Sequence, residues 1–230
     1  MKILSFAFFN LLLLIGFAQA QKPGDIKQKN TSQLQNQNQI ASYSFGVLVA
    51  GNLKAQAGDS LDLEAFFRGI KDAYLDKALV MKKEECAGVV QQHVQLFAKR
   101  KNERIRKDNQ AFLEKNKSDA NIKTTASGLQ YRIVATGMGK SPGPADKATV
   151  HYTGKLVDGT VFDSSVQRGQ PATFGVTQVI KGWTEALQMM HEGDKWILYI
   201  PHELGYGANG TGQIPPYATL IFEVELIQVN

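Results

Sequence analysis

Cysteine is almost missing, for Cys86 is the only one in 230 residues. One thiol cannot build an internal disulfide framework, so stability has to come from packing. Cys86 reads first as a small buried residue on a helix, and alternatively as half of an intersubunit disulfide. Catalytic signatures are equally sparse. His151, His191 and His202 stand at no metal-ligand spacing to another His, Cys or carboxylate pair. Ser164 and Ser165 follow Asp163 without a Gly-x-Ser-x-Gly elbow. Gly205-Tyr-Gly207 and Gly210-Thr-Gly212 sit in a Pro-bounded loop and not ahead of a helix, so they form no phosphate cradle. Nothing after the first twenty residues is apolar enough to span a bilayer.

What is present begins with a leader. Met1-Lys2 precedes an apolar stretch from Ile3 to Phe17, and Ala18-Gln-Ala20 supplies an A-x-A cleavage site. That order fits a secretory signal peptide at residues 1–20. The alternative is an uncleaved anchor, but Ser5, Asn10 and Gly16 interrupt a run already short of the ~20 apolar residues a span needs. No cysteine follows the leader to carry a lipid. Losing Lys2 with the leader lowers Lys+Arg from 26 to 25 against 21 acidic residues, leaving +4. Much of that excess is local, in Lys99, Arg100, Lys101, Arg104, Arg106 and Lys107. Export and the lack of interleaved aromatics speak for a solvated helix face, not for nucleic acid as partner.

Residues 21–39 are rich in Gln and Asn and too poor in apolar groups to offset ordering entropy, which predicts a disordered tether. Residues 40–80 read as a helical region. Ile40, Tyr43, Val47 and Leu48 form one stripe, Phe45 and Val49 a second, and Gly58 closes the first helix. Asp59, Ser60 and Asp62 are candidate N-caps for a second helix, whose face is Leu63, Phe66, Phe67, Ile70 and Tyr74. Two short helices cannot bury so much apolar surface alone, and a second copy of the chain is the simplest cover. Residues 81–118 carry a narrow stripe (Cys86, Val90, Val94, Phe97, Ile105, Phe112) that suits a long, mostly exposed helix. Beyond Ser118 the period falls to two. Leu129–Ile133, Val150–Tyr152, Trp196–Ile200 and Ile221–Leu226 read as strands, with an Asp158-Gly159 hairpin turn and one short helix through Trp183, Ala186, Leu187 and Met190. The fold class is α+β: an antiparallel sheet with a helix against it in residues 124–230, preceded by an all-α region. By periodicity alone, the aromatics beside these turns read as ordinary core.

The order of five segments says more. Val150-His-Tyr-Thr-Gly154, Asp158-Gly-Thr-Val-Phe-Asp-Ser-Ser165, Val179-Ile-Lys-Gly-Trp183, Tyr206-Gly207 and Ile214-Pro-Pro-Tyr-Ala-Thr-Leu-Ile-Phe-Glu-Val-Glu-Leu226 resemble the FKBP family of peptidyl-prolyl cis/trans isomerases from Thr124 to Val229. Ser44-Phe-Gly46, Asn52-Leu-Lys54 and Asp72-Ala73 make the preceding segment similar to the dimerisation region of Mip-like exported members. The resemblance implies a twisted antiparallel sheet wrapped around a short helix, with two interlocked helices and a long connecting helix before it. It implies Trp183 as pocket floor and Tyr152, Phe162, Phe174, Val179, Ile214 and Phe222 as substrate-binding walls. Tyr206 (hydroxyl) and Ile180 (backbone N–H, with its side chain in the wall) would be carbonyl donors, and Asp163 the pocket carboxylate beside Tyr152. Neither metal nor cofactor is implied. The implied ligands are proline-containing polypeptides, unfolded or folding, and macrolides of the rapamycin type. The chain would act as a homodimer through its N-terminal helices, soluble in the periplasm or associated with the outer surface. Two departures bear on substrate preference: Ala172 and Phe174 stand where small single-domain members have two aromatics, and the loop Pro201–Tyr206 carries an extra residue, with Gly205 before the tyrosine. A dimeric periplasmic chaperone with incidental isomerase activity is the alternative function, and a structural protein with a retired domain a further one.

Overall fold

Local signals set most of the helix ends. The structure, a computed structural model, describes residues 34–58 and 61–230. The leader at 1–20, the tether as far as residue 33, and the candidate caps Asp59 and Ser60 lie outside the described residues. The chain divides into two units, one ending at Leu53 and one running from Lys54 to Asn230.

Helix α1 (Gln37–Ala57) begins three residues ahead of Ile40, because Asn36 caps it: its Oδ1 accepts the Gln39 N–H at 3.0 Å. Tyr43, Phe45, Val47 and Leu48 are all exposed. They leave α1 in more than one direction, Phe45 roughly opposite Tyr43 and Val47, so covering one face would not cover the helix. Gly58 closes α1 in the left-handed conformation at φ 69°, where a side chain would also strike the Phe97 ring.

In the second unit, α2 (Leu63–Tyr74) is capped by Asp62, whose Oδ1 accepts the Ala65 N–H at 2.9 Å. It is strongly amphipathic, yet none of its residues is buried. Helix α3 (Lys83–Asn116) has 34 residues, roughly 51 Å of rod at 1.5 Å each. No α3 residue is buried. Cys86 is therefore exposed, which corrects the expectation of a buried position: among the described residues, nothing forms a covering layer over the first turns of α3. The far end of α3 is tied down. Asn109 Oδ1 accepts the Thr219 N–H at 2.7 Å, the Gln130 side chain donates to the Leu113 carbonyl at 2.9 Å, and Phe112 meets Tyr199 with ring centroids 6.0 Å apart.

Seven antiparallel strands follow: β1 (Lys123–Thr124), β2 (Gln130–Ala135), β3 (Lys147–Leu156), β4 (Val161–Ser164), β5 (Ala172–Gly175), β6 (Lys195–Ile200) and β7 (Leu220–Val229). The order is β1-β2-β6-β7-β3-β4, with β5 also paired to β3. The two ten-residue strands β3 and β7 pair along their whole length from Ala148↔Val229 to Leu156↔Leu220. Buried and less buried residues alternate along β3, as a sheet with one packed face requires. Helix α4 (Lys181–Met189) covers that face and buries Gly182, Trp183, Ala186 and Leu187 against Val150, Leu198, Leu220 and Val224. The Asp158-Gly159 turn forms as read: the Gly159 N–H donates to Leu156 O at 3.0 Å, and Gly159 takes φ 88°. Strands β1, β4 and β5 are two to four residues long, too short to show a period of two.

Candidate active site

Strands β3, β4, β5 and β7 and the first turn of α4 bring a set of rings to one place. Trp183 is 4% exposed and lies at the centre. Tyr152, Phe222 and Phe174 stand edge-on to it, with centroids at 5.3, 5.2 and 5.9 Å and interplanar angles of 90°, 83° and 85°. Edge-to-face packing suits the ring quadrupoles and leaves the indole face unstacked by these three. Phe162 extends the wall through Phe222, 5.5 Å away at 86°. Ile214 is buried in the same core, while Val179 and Ile180 are half-buried against it. Gly154 makes room for this wall: a Cβ there would stand 2.6 Å from Phe222 and 2.7 Å from Phe162. The Trp183 indole N–H is buried without a hydrogen-bond partner among the described residues.

A polar group sits at the rim. The Tyr152 hydroxyl donates to Asp163 Oδ2, and Arg168 Nη1 donates to Asp163 Oδ1. Arg168 Nη2 donates to the Tyr152 hydroxyl at 2.9 Å, closing a three-membered network. Partial burial alone would raise the Asp163 pKa. The bonds from Tyr152 and Arg168, with the guanidinium charge, outweigh it and hold the carboxyl below its ordinary value. Burial, and then the bond to Asp163, raises the Tyr152 pKa and keeps its proton in place. Ser164 and Ser165 are not placed as nucleophiles: Ser165 Oγ lies 3.1 Å from His151 Nδ1, but the residue is fully buried. Both are buried: Ser165 Oγ accepts the Tyr152 N–H at 2.8 Å, and Ser164 Oγ meets Thr153 Oγ1 at 2.8 Å. They pin the residues flanking Asp163 to β3.

The two donors read from sequence stand differently. Ile180 is the N-cap residue of α4, its carbonyl accepts from Trp183 and Thr184, and no hydrogen bond among the described residues uses its N–H. That follows from a helix start without a side-chain cap, which leaves the first amides open. Tyr206 lies just past the 3₁₀ turn His202–Leu204, is 41% exposed, and makes no side-chain hydrogen bond or ring contact among the described residues. The structure thus gathers Tyr152, Phe162, Asp163, Phe174, Trp183 and Phe222 by direct contact, and packs Val179, Ile180 and Ile214 into the adjoining core. No hydrogen bond or ring pair among the described residues ties Tyr206 to them. Arg168 was missed in the sequence. A cation five residues beyond Asp163 was the available signal, but nothing local says that it folds back.

Comparison with known proteins agrees with this geometry. Residues 139–227 match the family described as FKBP-type peptidyl-prolyl cis-trans isomerase, and residues 38–133 match the domain amino terminal to it. The FKBP-type 22 kDa peptidyl-prolyl cis-trans isomerase of Escherichia coli is 42% identical over 82% of this chain and 94% of its own length. The outer membrane protein MIP of Legionella longbeachae is 42% identical over 82% of this chain and 84% of its own. The crystal structure of FkpA from Escherichia coli superposes with a TM-score of 0.70 at 33% identity, covering 85% of this chain and 98% of that one. On matches of this length and identity, reaching from the helical region through the sheet, the chain belongs to the family of FKBP-type peptidyl-prolyl cis-trans isomerases.

Proposed function

We propose that this isomerase twists X-Pro bonds in the pocket above Trp183, using Tyr152, Phe162, Phe174, Val179, Ile214 and Phe222 as walls. An X-Pro bond isomerises slowly because its twisted transition state loses amide resonance, at a barrier near ~20 kcal/mol. In that state the carbonyl is less polar than in a planar amide. A dry, ring-lined pocket therefore penalises the planar ground state more than the twisted one. The prolyl ring rests on Trp183 while the Ile180 N–H and the Tyr206 hydroxyl hold carbonyls of the substrate. Asp163, fixed between Tyr152 and Arg168, sets the field at the rim. Only interactions that strengthen in the twisted state accelerate the reaction. About 5 kcal/mol of such difference corresponds to on the order of 10³- to 10⁴-fold.

The observation that carries this reading is the Trp183 ring held edge-on by three others beneath the Tyr152–Asp163–Arg168 network. NMR exchange on X-Pro peptides, with and without rapamycin, tests it. Catalysed exchange that the macrolide blocks is the expected result, and exchange indifferent to Trp183→Ala would sink the assignment.

The same reading extends to assembly and location. The exposed apolar residues around α1 and along α2 support a homodimer built from these helices. The leader supports export to the periplasm, with outer-surface association in keeping with the name of the Legionella relative. No described helix is long and apolar enough to cross a membrane. Proline-containing polypeptides are the substrates. A holdase function is a second reading, favoured by the same exposed α2 face, and suppressed aggregation of a proline-free protein would support it.

A further inference from the structure

We infer that His202 is a positioning residue for Tyr206, acting through the backbone of the loop that carries it; the inference rests on the reading of Tyr206 as a carbonyl donor. Tyr206 has no side-chain partner of its own among the described residues, so the arc its hydroxyl can reach is set by where its backbone holds the Cα. That backbone converges on His202. The His202 carbonyl accepts the N–H of Gly205 at 3.0 Å and of Gly207 at 2.8 Å, the two residues that bracket Tyr206. Gly207 in turn accepts the Tyr217 N–H at 3.0 Å.

The His202 ring meets Tyr217 a second time. The two rings pack edge to face, 5.1 Å apart at 86°. Tyr217 adopts φ 60°, a left-handed conformation that a non-glycine residue keeps only where its surroundings enforce it. The His202 ring supplies part of that enforcement. It is itself confined, with Nε2 3.1 Å from Glu203 Oε1 and Nδ1 buried without a hydrogen-bond partner among the described residues. His202 also lines a cleft of about 650 Å³ with Gln130 and Thr219, the two residues that hydrogen-bond to the foot of α3. Without the imidazole, Tyr217 can relax from its left-handed conformation, its bond to Gly207 is lost, and Tyr206 samples directions that do not reach a substrate carbonyl.

The test is a double-substitution cycle in the full chain, with kcat/KM on X-Pro peptides and thermal unfolding measured together. His202→Ala is expected to lower kcat/KM about 5-fold, the scale of one hydrogen bond, with the melting temperature nearly unchanged. Tyr217→Phe, which keeps the ring, should match wild type. In a Tyr206→Phe background, His202→Ala should cost nothing further, since its route runs through the hydroxyl already removed. Wild-type activity in His202→Ala, or a loss fully additive with Tyr206→Phe, overturns the inference while leaving Tyr206 as donor. Wild-type activity in Tyr206→Phe overturns the donor reading itself and the inference with it. Should His202→Ala fail to fold, His202→Gln, which takes the ring away from Tyr217 but keeps a polar side chain, takes its place in the cycle with the same outcomes.

Discussion

Arg168 lies over the ring of Tyr152. Its guanidinium carbon is 5.7 Å from the ring centroid, and Nη2 donates to the phenol oxygen at 2.9 Å. One side chain therefore grips both the face and the tip of a pocket wall, while its other arm holds Asp163. The carboxylate is placed between a phenol and a cation and does not face the pocket unescorted.

Removing that grip should impair catalysis more than folding. Arg168→Met keeps the stem and deletes the forked donor. The Arg168 and Asp163 side chains are 47% and 42% exposed, so solvent screens their pairing and it adds little to stability. A fall in kcat/KM of about 3- to 10-fold is expected, with the melting temperature within a few degrees. Arg168→Lys should not restore it, because an ammonium cannot serve two acceptors in one plane. Parallel peptide assays and calorimetry decide; full activity in Arg168→Met would remove Arg168 from the site.

Trp183→Leu should damage both properties. The indole is 4% exposed and three rings lean on it, so its loss deletes the floor and leaves a void. A destabilisation of roughly 2–4 kcal/mol follows from large-to-small replacement, with loss of most of the isomerase rate. Denaturant unfolding and peptide exchange on one preparation would show it.

The rim network fixes the pH response. Asp163 has a folded-state pKa below its ordinary value, so its stabilising contribution is complete above the unfolded value near ~3.9 and is lost as pH falls through the folded one. Tyr152 is raised, so its contribution is complete below the unfolded value near ~10 and lost as pH rises through the folded one. Activity should thus be flat across neutral pH. Carboxyl-detected NMR titration should place the Asp163 midpoint below 3.8, and Arg168→Met should move it upward.

The dimer proposal is open to direct measurement. Phe67 and Ile70 are 61% and 47% exposed on the apolar face of α2. If a second chain covers them, light scattering of the chain from Gln21 onward should report twice the monomer mass, and Phe67→Asp should halve it. A charge buried at such an interface without a partner is costly, whereas on an open surface it would change nothing.

Much of this protein is local chemistry and therefore readable in the chain. Asp62 caps α2 and Gly58 closes α1 because a short carboxylate and a missing Cβ satisfy helix ends within a few residues. Asp158-Gly159 makes its hairpin for the same reason, and the alternation along β3 follows from one packed face. That Trp183, Tyr152 and Phe222 would come together could be named from motif order, whereas periodicity alone reads them as ordinary core. What the sequence left open depends on partners distant along the chain. The pairing of β5 with β3, the return of Arg168 onto Tyr152 and the anchoring of Asp163 by its flanking serines exist only once β3 stands beside β4 and β5. Cys86 could not be placed either, since exposure depends on what packs against α3, and no described residue covers its first turns. A residue's own type governs the conformations it can take, while its neighbours across the sheet decide what it touches.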